Sequence, residues 1–121
     1  MKKNKILFVE DEKDLRDTLQ ESLEANKFEV KSVSNGEEAL NSLTKDKYDL
    51  ILLDIILPKK NGFEVLKEIK DLNKNTPVVL LTNLSGPNNV QKALDFGARN
   101  YLVKSEYRLD EIVDRVKEII E

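Results

Sequence analysis

The chain has 121 residues, enough for one domain with a continuous core, and residues 1–121 are read as such. Hydrophobic residues make up 40% and charged residues 36%, a balance that suits a packed interior under a highly charged surface rather than a disordered chain. There is no Cys and no His, which excludes disulfides, thiolate nucleophiles, Ser-His triads and zinc held by imidazole; the net charge of −3 offers no general attraction to nucleic acid or an anionic membrane. Any chemistry must come from carboxylates, hydroxyls, lysines and a hard metal ion. No apolar run approaches the ~18 residues that span a bilayer. Met1-Lys2-Lys3-Asn4 leads directly into a strand, so a cytoplasmic protein is expected.

Lys5-Ile6-Leu7-Phe8-Val9 is a continuous apolar run, the mark of a central strand, and it ends abruptly in Glu10-Asp11-Glu12. Leu15, Leu19 and Leu23 follow at helical spacing and predict a first helix from about Glu12 to Ala25. Residues Phe28 to Val33 alternate apolar and polar, as a strand near a sheet edge does. Ser34 and Glu37, three apart, form a capping-box pattern opening a helix through Ala39, Leu40 and Leu43. Leu50-Ile51-Leu52-Leu53 is a third strand, buried on both faces. Asn61-Gly62 then caps a helix with Val65, Leu66, Ile69 and Leu72 on one face. Val78-Val79-Leu80-Leu81 is a fourth strand ending in Thr82-Asn83, and Ser85-Gly86-Pro87 leads a short helix through Val90, Ala93 and Leu94, closed by Gly97. Tyr101-Leu102-Val103 is the last strand and ends in Lys104. Leu109, Ile112, Val113, Val116 and Ile119-Ile120 form the clearest amphipathic stripe, the final helix.

Strict alternation of strand and helix predicts a parallel sheet with helices on both faces. Right-handed crossovers, with the alternating second strand at an edge, favour the order 2-1-3-4-5. In that order the sheet reverses between strands 1 and 3, whose C-terminal ends flank the ligand crevice of such folds. The residues there are Glu10, Asp11 and Asp54; Thr82 and Lys104 join them from strands 4 and 5. A carboxylate at the mouth of a buried strand is costly unless something binds it. Alone, Asp54 reads equally well as a turn residue before Pro58. Three clustered carboxylates repel one another, and a divalent cation together with the Lys104 ammonium would relieve that repulsion. Ligands that are all oxygen indicate Mg²⁺, or else Mn²⁺. A carboxylate can also attack phosphorus, and a hydroxyl and an ammonium can hold the oxygens of a transferring phosphoryl group.

In these residues the chain resembles the receiver domain of two-component response regulators, of the stand-alone type, over essentially its whole length. The resemblance rests on the acidic pair Glu10-Asp11, the Asp in Leu53-Asp54-Ile55-Ile56-Leu57-Pro58, Asn61-Gly62, Thr82, Tyr101 and Lys104. It implies a three-layer, doubly wound (βα)5 flavodoxin-like fold. It also implies that Asp54 accepts a phosphoryl group from a histidine kinase or a His-containing phosphotransfer protein. Glu10, Asp11, Asp54 and the Ile56 backbone carbonyl would hold Mg²⁺; Thr82, the Asn83 backbone and Lys104 would contact the phosphoryl oxygens. Thr82 and Tyr101 would form the switch, unless Tyr101 is simply an aromatic covering the edge strand. Output would come from a downstream protein docking on the face made by the fourth helix, last strand and last helix, with no direct contact to nucleic acid or membrane.

Four departures from the family pattern carry expectations of their own. Ser105 follows Lys104 where proline, often cis, is usual; without proline a cis bond costs about 3–4 kcal/mol, so a trans or rearranged turn is expected, with Lys104 still reaching the site. Asn83 stands where a small residue is usual, and either narrows access to Asp54 or adds a polar contact. Ile56 and Leu84, two positions beyond Asp54 and Thr82, cannot orient a water, so slow loss of the phosphoryl group is expected. Arg99 and Asn100 replace the acids that pair across one common dimer, so a monomer or weak dimer is expected and Arg99 reads as a solvated edge charge. Two other functions compete with the receiver. A phosphohydrolase with a carboxylate nucleophile usually needs a second acid where Ile56 stands. A pseudo-receiver, with the fold but no phosphorylation, is opposed by the full acid, Thr and Lys set. The sequence separates neither a free-standing domain from a piece of a longer regulator nor one pathway from another.

Overall fold

The aliphatic runs predicted as central strands form the middle of a five-stranded parallel sheet. The computed structural model of the chain describes residues 3–58 and 60–120; Met1, Lys2, Lys59 and Glu121, including both ends of the expected domain, lie outside the described residues. The elements alternate as β1 (Lys5–Val9), α1 (Lys13–Ala25), β2 (Glu29–Val33), α2 (Gly36–Lys45), β3 (Leu50–Leu53), α3 (Gly62–Leu72), β4 (Val78–Thr82), α4 (Pro87–Asp95), β5 (Asn100–Val103) and α5 (Leu109–Ile120). A short 3-10 turn, Lys104–Glu106, joins β5 to α5. The strand order is β2-β1-β3-β4-β5, the order expected from the alternation.

Side-chain alternation along the strands divides the core in two. Leu7, Val9, Ile51, Leu53, Val78 and Leu80 face α2, α3 and α4, and meet Ala39, Val65, Leu66, Ile69 and Ala93. Ile6, Phe8, Leu50, Leu52, Val79 and Leu81 face α1 and α5, and meet Leu19, Leu23, Ile112, Val113 and Val116. Each fully buried aliphatic side chain contributes about 1.5–3 kcal/mol, so β1, β3 and β4 are rigidly held and their C-terminal tips have little freedom. The edge strand β2 keeps Glu29 and Lys31 exposed, as its alternating sequence requires.

Local details differ from the sequence expectation in two places. The cap of α2 is Asn35 rather than Ser34: Asn35 Oδ1 accepts the Glu38 N–H at 2.9 Å, and Glu38 Oε2 accepts from both Ser34 Oγ and Asn35 Nδ2. A capping residue must be the last non-helical one, and the helix begins at Gly36. Leu72 is 60% exposed, because α3 ends at that residue and has no neighbour left to cover it. None of the helices among the described residues is long and apolar enough to cross a membrane.

The start of α3 shapes the ground beneath Asp54. Asn61 Oδ1 accepts the Phe63 N–H at 2.8 Å, and Gly62 is pressed against the backbone just beyond that acid. A Cβ on Gly62 would lie 2.1 Å from the Ile55 carbonyl oxygen and 2.3 Å from its Cα. Gly62→Ala should therefore lower the unfolding free energy in urea by about 2–3 kcal/mol, the scale of an overpacked core. Gly36→Ala should cost clearly less, since its Cβ meets only a Val65 methyl, at 2.5 Å, and that side chain can shift.

Candidate functional site

The polar tips of β1, β3, β4 and β5 meet at the C-terminal edge of the sheet. Pairing continues one step past the strands on both sides of β1: the Asp54 N–H donates to the Val9 carbonyl at 3.1 Å, and the Glu10 N–H to the Val33 carbonyl at 3.0 Å. These bonds fix the two acids side by side, and both are buried, Glu10 at 0% and Asp54 at 3% exposure. Like charges about 4 Å apart repel by about 4 kcal/mol at an effective dielectric constant of about 20, so such a pair needs a counter-charge.

Lys104 provides it. Its Nζ lies 2.7 Å from Glu10 Oε1 and 2.7 Å from Asp54 Oδ2. Burial pulls the Lys104 ammonium down from its ordinary pKa, but the Asp54 and Glu10 carboxylates outweigh it and hold the value raised. Burial pushes the Glu10 carboxyl up, against the Lys104 ammonium and the Glu12 N–H, which favour its ionised form. Asp54 Oδ1 accepts the Ile56 N–H at 3.0 Å, and Glu10 Oε2 accepts the Glu12 N–H at 3.1 Å. Glu10 Oε1 meets no donor among the described residues other than the Lys104 ammonium.

Asp11 is exposed, and its carboxylate lies with those of Glu10 and Asp54 in a cluster whose ligating oxygens are within 4.8 Å of one another. An all-oxygen set of three carboxylates, with a single ammonium to balance the two buried ones, fits a hard divalent cation of the Mg²⁺ type. Sequence reasoning missed Arg16: its Nη1 donates to the carbonyls of Glu10 at 2.8 Å and Asp11 at 3.3 Å, bracing the acidic loop from the first turns of α1. Its spacing from the acids was visible, but nothing in the sequence separates a bracing arginine from one facing solvent.

The remaining residues line the β4 and β5 side. Thr82 is fully buried and its Oγ1 accepts the Leu84 N–H at 3.3 Å. Tyr101 is half-buried, and its hydroxyl donates to the Leu84 carbonyl. Burial and then the Asp54 charge push the Tyr101 phenol up, so it stays a donor at neutral pH. Asn83 Oδ1 accepts the Ser105 N–H at 3.1 Å. No peptide bond among the described residues is cis, so the Lys104–Ser105 bond is trans, as expected. Ile56 presents a side chain that is 54% exposed, whereas Leu84 packs on the edge of the core.

The response regulator receiver domain model matches residues 6–117. The chain belongs to this family. It is 39% identical over 117 residues to the transcriptional regulatory protein CpxR of Klebsiella pneumoniae, covering 97% of this chain and 49% of that protein. It is 34% identical over 113 residues to the transcriptional regulatory protein DltR of Streptococcus agalactiae, covering 93% and 50%. The receiver thus spans about half the length of the curated relatives it matches. Among solved structures, a two-component response regulator from Clostridium difficile superposes with a TM-score of 0.92 at 31% identity, covering 98% of this chain and 96% of that one. The BeF3-activated N-terminal receiver domain of Klebsiella pneumoniae RstA gives 0.89 at 30% identity, covering 98% and 99%. The chain is accordingly a signalling domain of the two-component type, with the doubly wound fold expected from its sequence.

For this receiver, cation binding should appear as a rise in thermal midpoint on adding Mg²⁺, since a ligand of the native state at about one hundred times its Kd adds about 2.7 kcal/mol. Asp11→Asn should lose most of that rise while folding normally, because Asp11 is exposed. An equal rise in the variant would remove Asp11 from the cation site.

Proposed function

We propose that Asp54 is the phosphoacceptor of this receiver, taking its phosphoryl group from a phosphohistidine on a partner kinase or His-containing phosphotransfer protein. The observation that carries the reading is the Lys104 ammonium seated 2.7 Å from both Glu10 and Asp54, a fixed positive charge beside the buried carboxylate that would attack. An Asp54 oxygen bonds to phosphorus as the bond from phosphorus to the imidazole nitrogen breaks, and the departing imidazole keeps the electron pair and is protonated from solvent. Glu10, Asp11, Asp54 and the Ile56 carbonyl would hold Mg²⁺, which supplies positive charge for the transferring phosphoryl oxygens. Lys104, the Thr82 hydroxyl and the Asn83 backbone N–H receive those oxygens.

On this reading the output is a change of shape. Thr82 must release the Leu84 N–H to turn towards the phosphoryl group, and Leu84 is also the acceptor of the Tyr101 hydroxyl. The released loop and ring would favour a second arrangement of α4, β5 and α5, the surface on which a downstream protein would dock. The domain would act in the cytoplasm as a monomer or weak dimer, through protein contacts rather than direct contact with nucleic acid. A phosphohydrolase reading lacks its leaving-group acid, since the residue two beyond Asp54 is the aliphatic Ile56.

Incubation with Mg²⁺ and acetyl phosphate should yield a single phosphoryl adduct by intact mass, absent from Asp54→Asn. An adduct that survives the substitution would move the acceptor elsewhere, and no adduct on the wild type would leave a binding module without phosphorylation. Because neither Ile56 nor Leu84 can orient a water, the adduct should decay slowly, and Ile56→Asn or Leu84→Glu should change its lifetime. A lifetime of seconds, or no response to either substitution, would remove these two side chains from control of resetting.

A further inference from the structure

The last paired residues of β4 and β5 are Thr82 and Val103, and immediately beyond them the two strands part. β4 enters the loop before α4; β5 enters the 3-10 turn that begins on Lys104. Two hydrogen bonds still tie β5 and its turn to the segment that leaves β4. In one, the Tyr101 hydroxyl donates to the Leu84 carbonyl. In the other, the Ser105 N–H donates to Asn83 Oδ1 at 3.1 Å. The first N–H groups of a helical turn have no partner within it, so the Asn83 side chain acts as a cap from a neighbouring strand.

That cap falls at a sensitive point. A peptide unit is planar, and the Ser105 N–H lies in the plane that also contains the Lys104 carbonyl and Lys104 Cα. Fixing the direction of this N–H therefore fixes the backbone rotation that follows Lys104 Cα. The same Cα carries the side chain that places an ammonium 2.7 Å from two buried acids. The bond requires a residue with an N–H at position 105, which Ser has and Pro would lack. It also requires an acceptor long enough to cross the gap, which a small residue at position 83 would not supply.

We propose that Asn83 is the positioning residue for Lys104: its side-chain oxygen pins the peptide plane after Lys104 and so holds the ammonium between Glu10 and Asp54. Asn83 follows Thr82 directly, so the same bond ties the segment carrying the Thr82 hydroxyl to the segment carrying Lys104. The two groups proposed to receive the phosphoryl oxygens are thereby held in one frame. The effect on phosphorylation rests on the proposed function of Asp54, whereas the positioning of Lys104 does not.

The test measures both. Asn83→Ala and Ser105→Pro each remove one half of the bond; Ser105→Ala keeps the N–H and is the control. In nitrogen-15 spectra of the Mg²⁺-free protein, exchange of the Ser105 amide and of the Lys104 ammonium protons should quicken about fivefold in Asn83→Ala, the scale of one lost hydrogen bond. Phosphorylation by acetyl phosphate should slow about tenfold to a hundredfold in Asn83→Ala and in Ser105→Pro, as expected when a positioned group is displaced. The double variant should be no slower than the slower single, and Ser105→Ala should keep the wild-type rate. Faster exchange at Ser105 alone, with Lys104 and the phosphorylation rate unchanged, would show a purely structural cap and overturn the proposal. Additive losses in the double variant would overturn it as well. Should Ser105→Pro fail to fold, Asn83→Ala decides alone. If the wild type takes no phosphoryl group, the function reading falls, and the Lys104 exchange still judges the positioning.

Discussion

The rest of the site depends on one ammonium group. Lys104 comes from the last strand, yet its charge lies between acids carried by the first and third. Without it, Glu10 and Asp54 would be two buried carboxylates fixed side by side by backbone hydrogen bonds that neither can escape. Burial raises the pKa of Glu10, and Lys104 works against that rise. Lys104 is also the one donor that reaches Glu10 Oε1 among the described residues. Beside Glu10 and Asp54 the exposed carboxylate of Asp11 completes an all-oxygen cluster that could hold a hard cation.

The two halves of the rim are built differently. Glu10 and Asp54 continue the ladders of β1 and β3, and their surroundings are fully packed side chains of both core clusters. Asn83 and Leu84, just past the end of β4, instead begin a loop, held by single hydrogen bonds to Ser105 and Tyr101. A net hydrogen bond is worth about 1 kcal/mol, whereas each buried aliphatic residue of the central strands contributes about 1.5–3 kcal/mol. The loop that leaves β4 is therefore the less firmly held part of the rim. Such an imbalance is what a domain needs if a local change of charge is to alter a distant surface without disturbing the fold.

Close packing beneath Asp54 adds a second constraint. Gly62 brings the start of α3 against the Ile55 backbone, closing the loop behind Asp54 from below. Arg16 braces the acidic loop from the opposite helix layer through the carbonyls of Glu10 and Asp11. Each contact fixes backbone rather than side chain. The carboxylates are thus held by rigid supports while Lys104, reaching across on a long and flexible stem, is the member whose place must be maintained by its own turn.

Periodicity and residue type determined much of this protein by themselves. Doubly apolar runs announced the central strands, the alternating run marked β2 as an edge, and strict alternation of strand and helix with right-handed crossovers left few sheet orders, of which 2-1-3-4-5 fits. The acids, Thr82 and Lys104 were legible because each interrupts an apolar strand at the same end, and a parallel sheet brings all such ends to one edge. Capping was legible only to within a residue, since Ser34 and Asn35 offer equivalent oxygens and the backbone chooses between them. Other features were decided by the tertiary structure alone. Arg16 on two carbonyls, Tyr101 on Leu84, Asn83 on Ser105 and the near-contact at Gly62 all depend on distances between segments far apart or turned by loops. Hydrophobic pattern reports which face of an element is buried. It carries no information on which polar atom lies within hydrogen-bonding reach of another once the chain has folded.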